Sequence, residues 1–214
     1  MEAMIKDLNP IIQMLILMTV FSLLPFAFAC LTSFMRFIIV FSILKTALGT
    51  QQVPPGIIIV GLSIIMTLYT MSPVFTKMYE AGSVPYQKTG DIILTMKEGS
   101  EPLKEFMMKQ TEQKDLAFFM ELAKRPQPKT PADISIFDVA PAYMIGELKK
   151  AFEIGFIIFV PFVILDLVVA NILLALGMFM LSPTIISLPF KLLIFIAVDG
   201  WALIVQGLVQ SYNT

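Results

Sequence analysis

Four long apolar runs constrain the fold of this chain more than any other feature. They cover residues 11–34, 56–75, 154–181 and 184–209. Each reaches about the 20 residues that a helix needs to cross roughly 30 Å of hydrocarbon. With 57% hydrophobic residues, 14% charged residues and a mean hydropathy of +0.83, the chain also lies outside the composition of water-soluble domains. We therefore expect an all-α membrane protein, in which residues 1–75 form an amino-terminal set of hydrophobic helices.

A polar insert at residues 76–153 interrupts the apolar pattern. It carries 11 Lys/Arg and 12 Asp/Glu residues, and its prolines are expected to break it into short pieces: Pro85, Pro102, Pro126, Pro128 and Pro131. Between Glu101 and Arg125 apolar residues recur at helical spacing, which predicts one or two amphipathic helices ended by the RPQPKTP segment. Residues 154–214 form the third predicted region, a carboxyl-terminal hydrophobic hairpin.

The segment from Phe34 to Gly49 is apolar but short, and fits either an interfacial helix or the second arm of a hairpin. It carries Arg36 and Lys45 and no acid, so the positive-inside rule favours the cytoplasmic side for it. The amino terminus, the insert and the carboxyl terminus are then expected on the other side of the membrane. The LSPTIIS turn between the last two runs is expected on the cytoplasmic side.

Three charged residues lie inside the last two apolar runs and need partners, because an isolated charge in hydrocarbon is costly: Asp166, Lys191 and Asp199. In a hairpin that turns around Met180 and Leu181, Asp166 and Lys191 differ in height by about 6 Å, which a lysine side chain spans. We therefore predict an ion pair between them. Asp199 lies eight residues after Lys191 on a different side of the helix, so a neighbouring chain, a water or Trp201 is its expected partner. The pair either fixes register and assembly or takes part in a proton relay.

Composition also excludes several classes of function. The chain has no histidine, a single cysteine at Cys30, expected to be a buried thiol, and a formal net charge of -1. The commonest general base and zinc ligand are thus missing, and nothing suggests a nucleic-acid partner. We expect no enzyme activity, metal or cofactor. The three intramembrane charges also leave open a small ion-coupled transporter that uses Asp166, Lys191 and Asp199, although no internal repeat supports it. A hydrolase with Asp166 and Asp199 as its carboxylate pair is a third possibility.

The stretch LGMFMLSP places soft, apolar side chains where the third run ends. Gly177 permits a backbone bend and Pro183 follows the turn, so Met178, Phe179 and Met180 are predicted near the hairpin tip. They either fill gaps in a core or face lipid, or several copies form an apolar gasket around an axis.

Three blocks of this sequence resemble the FliP/SctR family, the export-gate proteins of flagellar and virulence-associated type III secretion systems. They are LTSFMRFIIVFSILKTALGTQQVPP at 31–55, PAYMIGELKKAFEIGFIIFVPFVILDLVVANILLALGMFMLSP at 141–183 and SLPFKLLIFIAVDGW at 187–201. The resemblance implies bent helical hairpins that assemble, as about five copies, into a helical, conical oligomer in the bacterial inner membrane. It implies SctS-like and SctT-like membrane subunits and SctU-like and SctV-like export-gate proteins as partners, and unfolded secreted proteins as substrates.

The same resemblance implies roles for individual residues. The family's methionine-rich sealing loop maps onto Met178, Phe179 and Met180, and its intramembrane acid and lysine map onto Asp166 and Lys191. Phe179 stands where flagellar members typically carry a third methionine, which implies a stiffer and bulkier ring. The assembled complex and the polar insert are expected largely on the periplasmic side. The first ten residues lack the positively charged start of a cleavable leader, which favours the virulence-type branch.

Overall fold

The computed structural model describes residues 10–50, 53–90, 92–124 and 134–212, and these residues are folded almost entirely as α-helices. This confirms the predicted all-α class. The described residues form eight helices, numbered here in chain order: α1 (Pro10–Leu31), α2 (Phe34–Ala47), α3 (Gly56–Thr89), α4 (Ile92–Gln110), α5 (Gln113–Leu122), α6 (Ile136–Ala175), α7 (Pro183–Ala197) and α8 (Gly200–Gln210).

Two of these helices are long and apolar enough to cross a membrane alone, namely α3 over Gly56–Pro85 and α6 over its whole length. Two further candidates are bent pairs of helices that reach the required length only together. The end of α1 and α2 meet at 68°, and α7 and α8 meet at 62°. The described residues therefore contain two candidate spans, or up to four if each bent pair is one span, and the short segment after Phe34 is the second arm of a bent pair.

The long helices α3 and α6 continue past the apolar runs from which they were predicted. Helix α6 begins at Ile136, well before the run at residue 154, and α3 continues to Thr89. At 1.5 Å per residue, the 40 residues of α6 extend for about 60 Å, roughly twice the thickness of the hydrocarbon layer. Polarity therefore changes inside continuous helices, with the charged residues of α6 concentrated toward its amino-terminal end.

The insert contains the two predicted amphipathic helices, α4 and α5. The prediction that Pro85 and Pro102 break this region is wrong, because they lie inside α3 and α4. Helices α3 and α4 pack closely against each other, which supports each of them through its proline. A Cβ added at Gly99 of α4 would lie 3.5 Å from the Cα of Gly82 of α3. The RPQPKTP segment, with Pro126, Pro128 and Pro131, lies outside the described residues.

Helix α2 lies at the centre of the described fold. Four apolar residues spaced along one face of it are fully buried: Phe37, Val40, Phe41 and Leu44. They recur at three- and four-residue intervals, as expected for the buried stripe of a helix. Helix α6 crosses α2 closely at Gly155, where an added Cβ would lie 2.3 Å from Cδ1 of Ile43. The small residue thus sets how near these two helices approach each other.

This crossing predicts opposite effects for two glycine-to-alanine substitutions. Gly155→Ala forces Ile43 to move and should lower the free energy of unfolding by about 1–3 kcal/mol. Gly61→Ala, in α3, meets no atom within 4 Å and should raise stability by about 0.5–1 kcal/mol through its better helix propensity. Thermal unfolding of the detergent-purified chain checks both. Equal effects of the two substitutions would contradict the close crossing.

The turn between α4 and α5 is fixed to α6 by Glu112. Its carboxylate accepts hydrogen bonds from the ammonium groups of Lys114 at 2.7 Å and Lys149 at 3.1 Å. These two contacts, that with Lys114 first, lower the pKa of Glu112 from 4.5 to about 2. Because the folded chain holds this carboxylate in its charged form, the contribution of Glu112 to stability is complete above pH 4.5. It is lost as the pH falls toward about 2.

Acidification from pH 4.5 to about 2 should therefore lower the midpoint of thermal unfolding, and Glu112→Gln should remove part of that dependence. The matched control is Glu121→Gln, which changes an exposed carboxylate of α5 that forms no ion pair within the described part of the chain. Midpoints measured across this pH range check the prediction. Identical pH profiles for the two variants would count against it.

Candidate functional site

The predicted ion pair between Asp166 and Lys191 is present in the structure. The ammonium of Lys191 donates to Oδ2 of Asp166 at 2.7 Å, joining α7 to α6. The lysine side chain is 2% exposed and the aspartate side chain 30% exposed. Ser187, fully buried and one helical turn before Lys191, donates its hydroxyl to Oδ1 of the same carboxylate. Both oxygens of Asp166 are thus occupied by α7, because residues four apart lie on one face of a helix.

Lys191 also connects this hairpin to a third helix. Its ammonium donates to the carbonyl oxygen of Ala47, the last residue of α2, at 3.1 Å. Carbonyl groups in the last turn of a helix have no partner within the helix, and the helix dipole places partial negative charge there. Lys191 satisfies one such carbonyl and complements that charge. A single buried cation therefore holds together α2, α6 and α7.

The turn between α6 and α7 has a closely defined backbone. Gly177 has φ +73°, its N–H donates to the carbonyl of Leu174 at 3.0 Å, and the N–H of Met178 donates to that of Leu173 at 2.9 Å. This is the hydrogen-bond pattern of a Schellman motif, which ends a helix with a glycine in the left-handed conformation. Pro183 begins α7, a position where its missing N–H costs no helical hydrogen bond. Helix signals on both sides thus fix the turn.

Met178, Phe179 and Met180 lie on this turn, at the predicted hairpin tip. Their exposed fractions are 48%, 77% and 98%. Within the described chain they are therefore largely unpacked, and the alternative that they fill this chain's own core does not apply to Phe179 or Met180. Three adjacent apolar side chains are presented outward on a backbone with little freedom, an arrangement suited to contact with another apolar surface.

Asp199 is separate from the Asp166–Lys191 pair. It lies at the bend between α7 and α8, is exposed, and has φ 52° and ψ 50°, in the left-handed region. Its side chain makes no capping hydrogen bond to α8. The three charges of the last two runs are thus not brought together into one site. The expected partner of Asp199, which is a neighbouring chain, a water or Trp201, remains a prediction.

A second buried ion pair escaped the sequence reasoning. Arg36 of α2 is 1% exposed and Glu147 of α6 is 0% exposed, and Nε of the arginine donates to Oε2 of the glutamate at 2.8 Å. The second arm of the guanidinium contacts Oε1 of the same carboxylate, which makes the pair bidentate. From the sequence, Arg36 serves only as a signal of membrane topology. Arg36 is the one charged residue in the apolar run FMRFIIVF, and a lone charge in such a run indicates a buried partner.

The described residues contain no group of three or more His, Cys, Asp or Glu side chains that could hold a metal ion. Cys30 is a free cysteine and is half-buried, whereas a fully buried thiol was expected, so that prediction is wrong about the extent of burial.

Comparison with known proteins identifies relatives along nearly the whole chain. The flagellar biosynthetic protein FliP of Caulobacter vibrioides is 45% identical over 204 residues, covering 95% of this chain and 77% of the relative. The protein of the same name from Bacillus subtilis is 44% identical, covering 97% and 94%. Yop proteins translocation protein R of Yersinia pestis is 43% identical, covering 94% and 96%. Because the flagellar and Yersinia relatives are almost equally similar, the virulence-type branch stays a prediction.

A profile of the FliP family matches residues 17–208, which include every helix from α2 to α7 and most of α1 and α8. This range also contains the Asp166–Lys191 pair, the Arg36–Glu147 pair and the apolar turn. The family predicted from the three sequence blocks is thus confirmed, and the chain belongs to the FliP family.

Proposed function

We propose that this chain is a core subunit of a type III protein export apparatus and forms, with further copies of itself, a channel for unfolded secreted proteins across the bacterial inner membrane. Its relatives are named for flagellar biosynthesis and for Yop translocation. Its apolar helices make it a membrane protein. The role needs no bond-making chemistry, so the chain acts as a structural component and not as an enzyme.

The observation that carries this proposal is the exposed apolar turn at residues 178–180. Its three side chains lie at the tip of a hairpin whose backbone is fixed by a Schellman motif and a proline. Copies arranged around an axis would direct these side chains into the passage. Apolar constrictions can close a pore to water and ions, while unbranched methionine side chains can adapt to a passing polypeptide.

Assembly is supported by the surface that a single copy leaves uncovered. Large apolar side chains are exposed along α1 and along α6, α7 and α8, among them Phe26, Phe156, Ile157 and Ile196, each about 70% exposed. Such continuous apolar surface requires lipid or other protein chains. We assign it to about five copies of this chain and to SctS-like and SctT-like subunits. SctU-like and SctV-like proteins are the further partners, and the assembled complex and its insert lie largely on the periplasmic side.

The rival ion-coupled transporter is less well supported. A coupling site needs titratable groups that share one accessible cavity, whereas Lys191 is 2% exposed and already donates to Asp166 and to the carbonyl of Ala47. Asp199 lies apart from them at the α7–α8 bend. The geometry favours a structural role for Asp166 and Lys191, in which they hold the gate hairpin on α2.

Loss of Lys191 tests this structural role. Lys191→Ala leaves Asp166 and the Ala47 carbonyl without their cation. It should destabilise the assembly by about 3 kcal/mol, the lower end of the cost of breaking a buried pair, because Asp166 is partly exposed. Secretion in the native bacterium and the amount of assembled complex should both fall. Lys45→Ala, a partly exposed lysine of α2 outside the ion pairs of the described chain, is the matched control.

The double variant Lys191→Ala, Asp166→Asn should recover much of both readouts, because the unpaired carboxylate is then gone. Recovery of the assembled complex without recovery of secretion would contradict a purely structural role and favour a coupling site.

Loss of the apolar turn tests the gate. Met178→Ala with Met180→Ala should make cells that contain the assembled complex measurably leaky to small ions, because the shortened side chains leave a wetted opening. Conductance of the purified complex in planar bilayers gives the direct measurement. Met14→Ala with Met18→Ala, two similarly exposed methionines of α1, is the matched control. An unchanged leak in the first variant would remove these residues from the seal.

A further inference from the structure

Two segments of this chain are apolar enough to span a membrane as straight helices and are nevertheless sharply bent. The end of α1 and α2 form one such pair, with 68° between them, and α7 and α8 form the other, with 62°. Bending a long apolar helix gives up backbone hydrogen bonds at the break, which is unfavourable in hydrocarbon. Some interaction of the folded chain must therefore stabilise the bent forms.

The polar groups that could do so lie at the start of the second helix of one pair and directly after the second helix of the other. Arg36 is in the first turn of α2, and Ser211 and Tyr212 directly follow α8. Nη1 of Arg36 donates to Oγ of Ser211 at 2.7 Å, and the guanidinium carbon lies 3.8 Å from the centre of the Tyr212 ring. Both broken segments thus meet at one place. We call Arg36, Glu147, Ser211 and Tyr212 the polar clasp.

Glu147 of α6 is the fixed centre of the polar clasp. Its carboxylate, which is completely buried, accepts from Arg36 and also from the hydroxyl of Tyr212. Gln110 at the end of α4 joins the same network, because its amide nitrogen donates to the carbonyl of Tyr212 at 3.2 Å. The clasp therefore connects both bent pairs to the long helix α6 and to the insert.

Tyr212 makes the contact that depends most directly on the α7–α8 bend. If α8 continued in line with α7, its carboxyl-terminal end would move by roughly 17 Å, and the Tyr212 hydroxyl would leave Glu147. Burial and the charge of Glu147 raise the pKa of Tyr212 well above 10, so the hydroxyl keeps its donor proton at physiological pH. A straight α7–α8 would leave a buried carboxylate short of a donor, which is costly.

We propose that Tyr212 is a positioning residue whose hydroxyl, held by Glu147, selects the bent over the straight form of α7–α8. The α7–α8 segment is then a two-state element: a straight apolar span when the clasp is open, and a bent pair packed on α2 when it is closed. Helix α7 also carries one side of the 178–180 turn, so the straight and bent forms differ in the direction in which α8 leaves that hairpin. The selection concerns helix geometry and holds whether or not the turn seals a channel.

The chain offers a closely matched control for testing Tyr212. Tyr143 is 1% exposed, and its ring packs against Phe106 at 5.9 Å, the distance at which Tyr212 also contacts Phe106. Unlike that of Tyr212, the Tyr143 hydroxyl is buried without a hydrogen-bond partner in the described structure. Tyr212→Phe and Tyr143→Phe each delete one hydroxyl from a buried ring that packs on Phe106, but only the first substitution removes a hydrogen bond of the polar clasp.

The bend can be measured in the full-length chain as the distance between two spin labels, by double electron–electron resonance. Spin labels are attached at Ile185→Cys and Gln210→Cys, two exposed positions on α7 and α8, in a Cys30→Ala background and in membranes. A straight segment separates these positions by about 5 Å more than the bent one. Tyr212→Phe should raise the ratio of the longer to the shorter distance about tenfold or more. The parent and Tyr143→Phe should keep the shorter distance.

Two results would overturn this role for Tyr212: an unchanged distance in Tyr212→Phe, or an equal change in Tyr143→Phe, which would indicate general loosening of the core. If Tyr212→Phe fails to fold, Ser211→Ala, which removes the hydroxyl at 2.7 Å from Arg36, should give a smaller shift toward the longer distance. No shift in that variant would also overturn the clasp.

Discussion

The fold depends first on the buried ion pair between Arg36 and Glu147. Both side chains are almost completely inaccessible, and each is costly to bury unless the other is present. The pair forms only when α2 lies across α6, so it allows one relative placement of the two helices. Gly155 supplies the space for that placement, and the apolar face of α2 completes it. An ion pair of this kind contributes more to the choice of arrangement than to net stability.

The second ion pair, between Asp166 and Lys191, fixes the placement of helices in the same way at the other end of α2. There the cation also satisfies the carbonyl of Ala47, so that helix is held near its beginning by Arg36 and at its end by Lys191. The hairpin of α6 and α7 is thereby attached to a fixed central helix. The apolar turn at residues 178–180 gains a defined direction, although Phe179 and Met180 are largely exposed.

These constraints connect the family assignment to a physical picture of export. The proposed channel for unfolded chains would need a closure that does not recognise any particular sequence, and apolar side chains on a stiff turn would meet that need. The charged groups of the two buried ion pairs are occupied by each other and by hydroxyl and backbone groups, whereas Asp199 lies apart from them at the α7–α8 bend. This arrangement favours a structural role for the buried pairs. Asp166 and Lys191 instead join the hairpin of α6 and α7 to the end of α2.

The sequence by itself determined the class of protein, the apolar runs, the glycine and proline that define the turn, and the Asp166–Lys191 pair. The class, the runs and the turn follow from local signals. The ion pair follows because Asp166 and Lys191 lie at similar distances from the hairpin tip on its two arms. Only the tertiary structure decided the bends, the continuation of α3 and α4 through Pro85 and Pro102, and the pairing of Arg36 with Glu147, which are 111 residues apart. A missing hydrogen-bond donor at proline or a lone charge in an apolar run is a local fact. Whether a helix breaks there, and which distant group neutralises that charge, depends on how the helices pack.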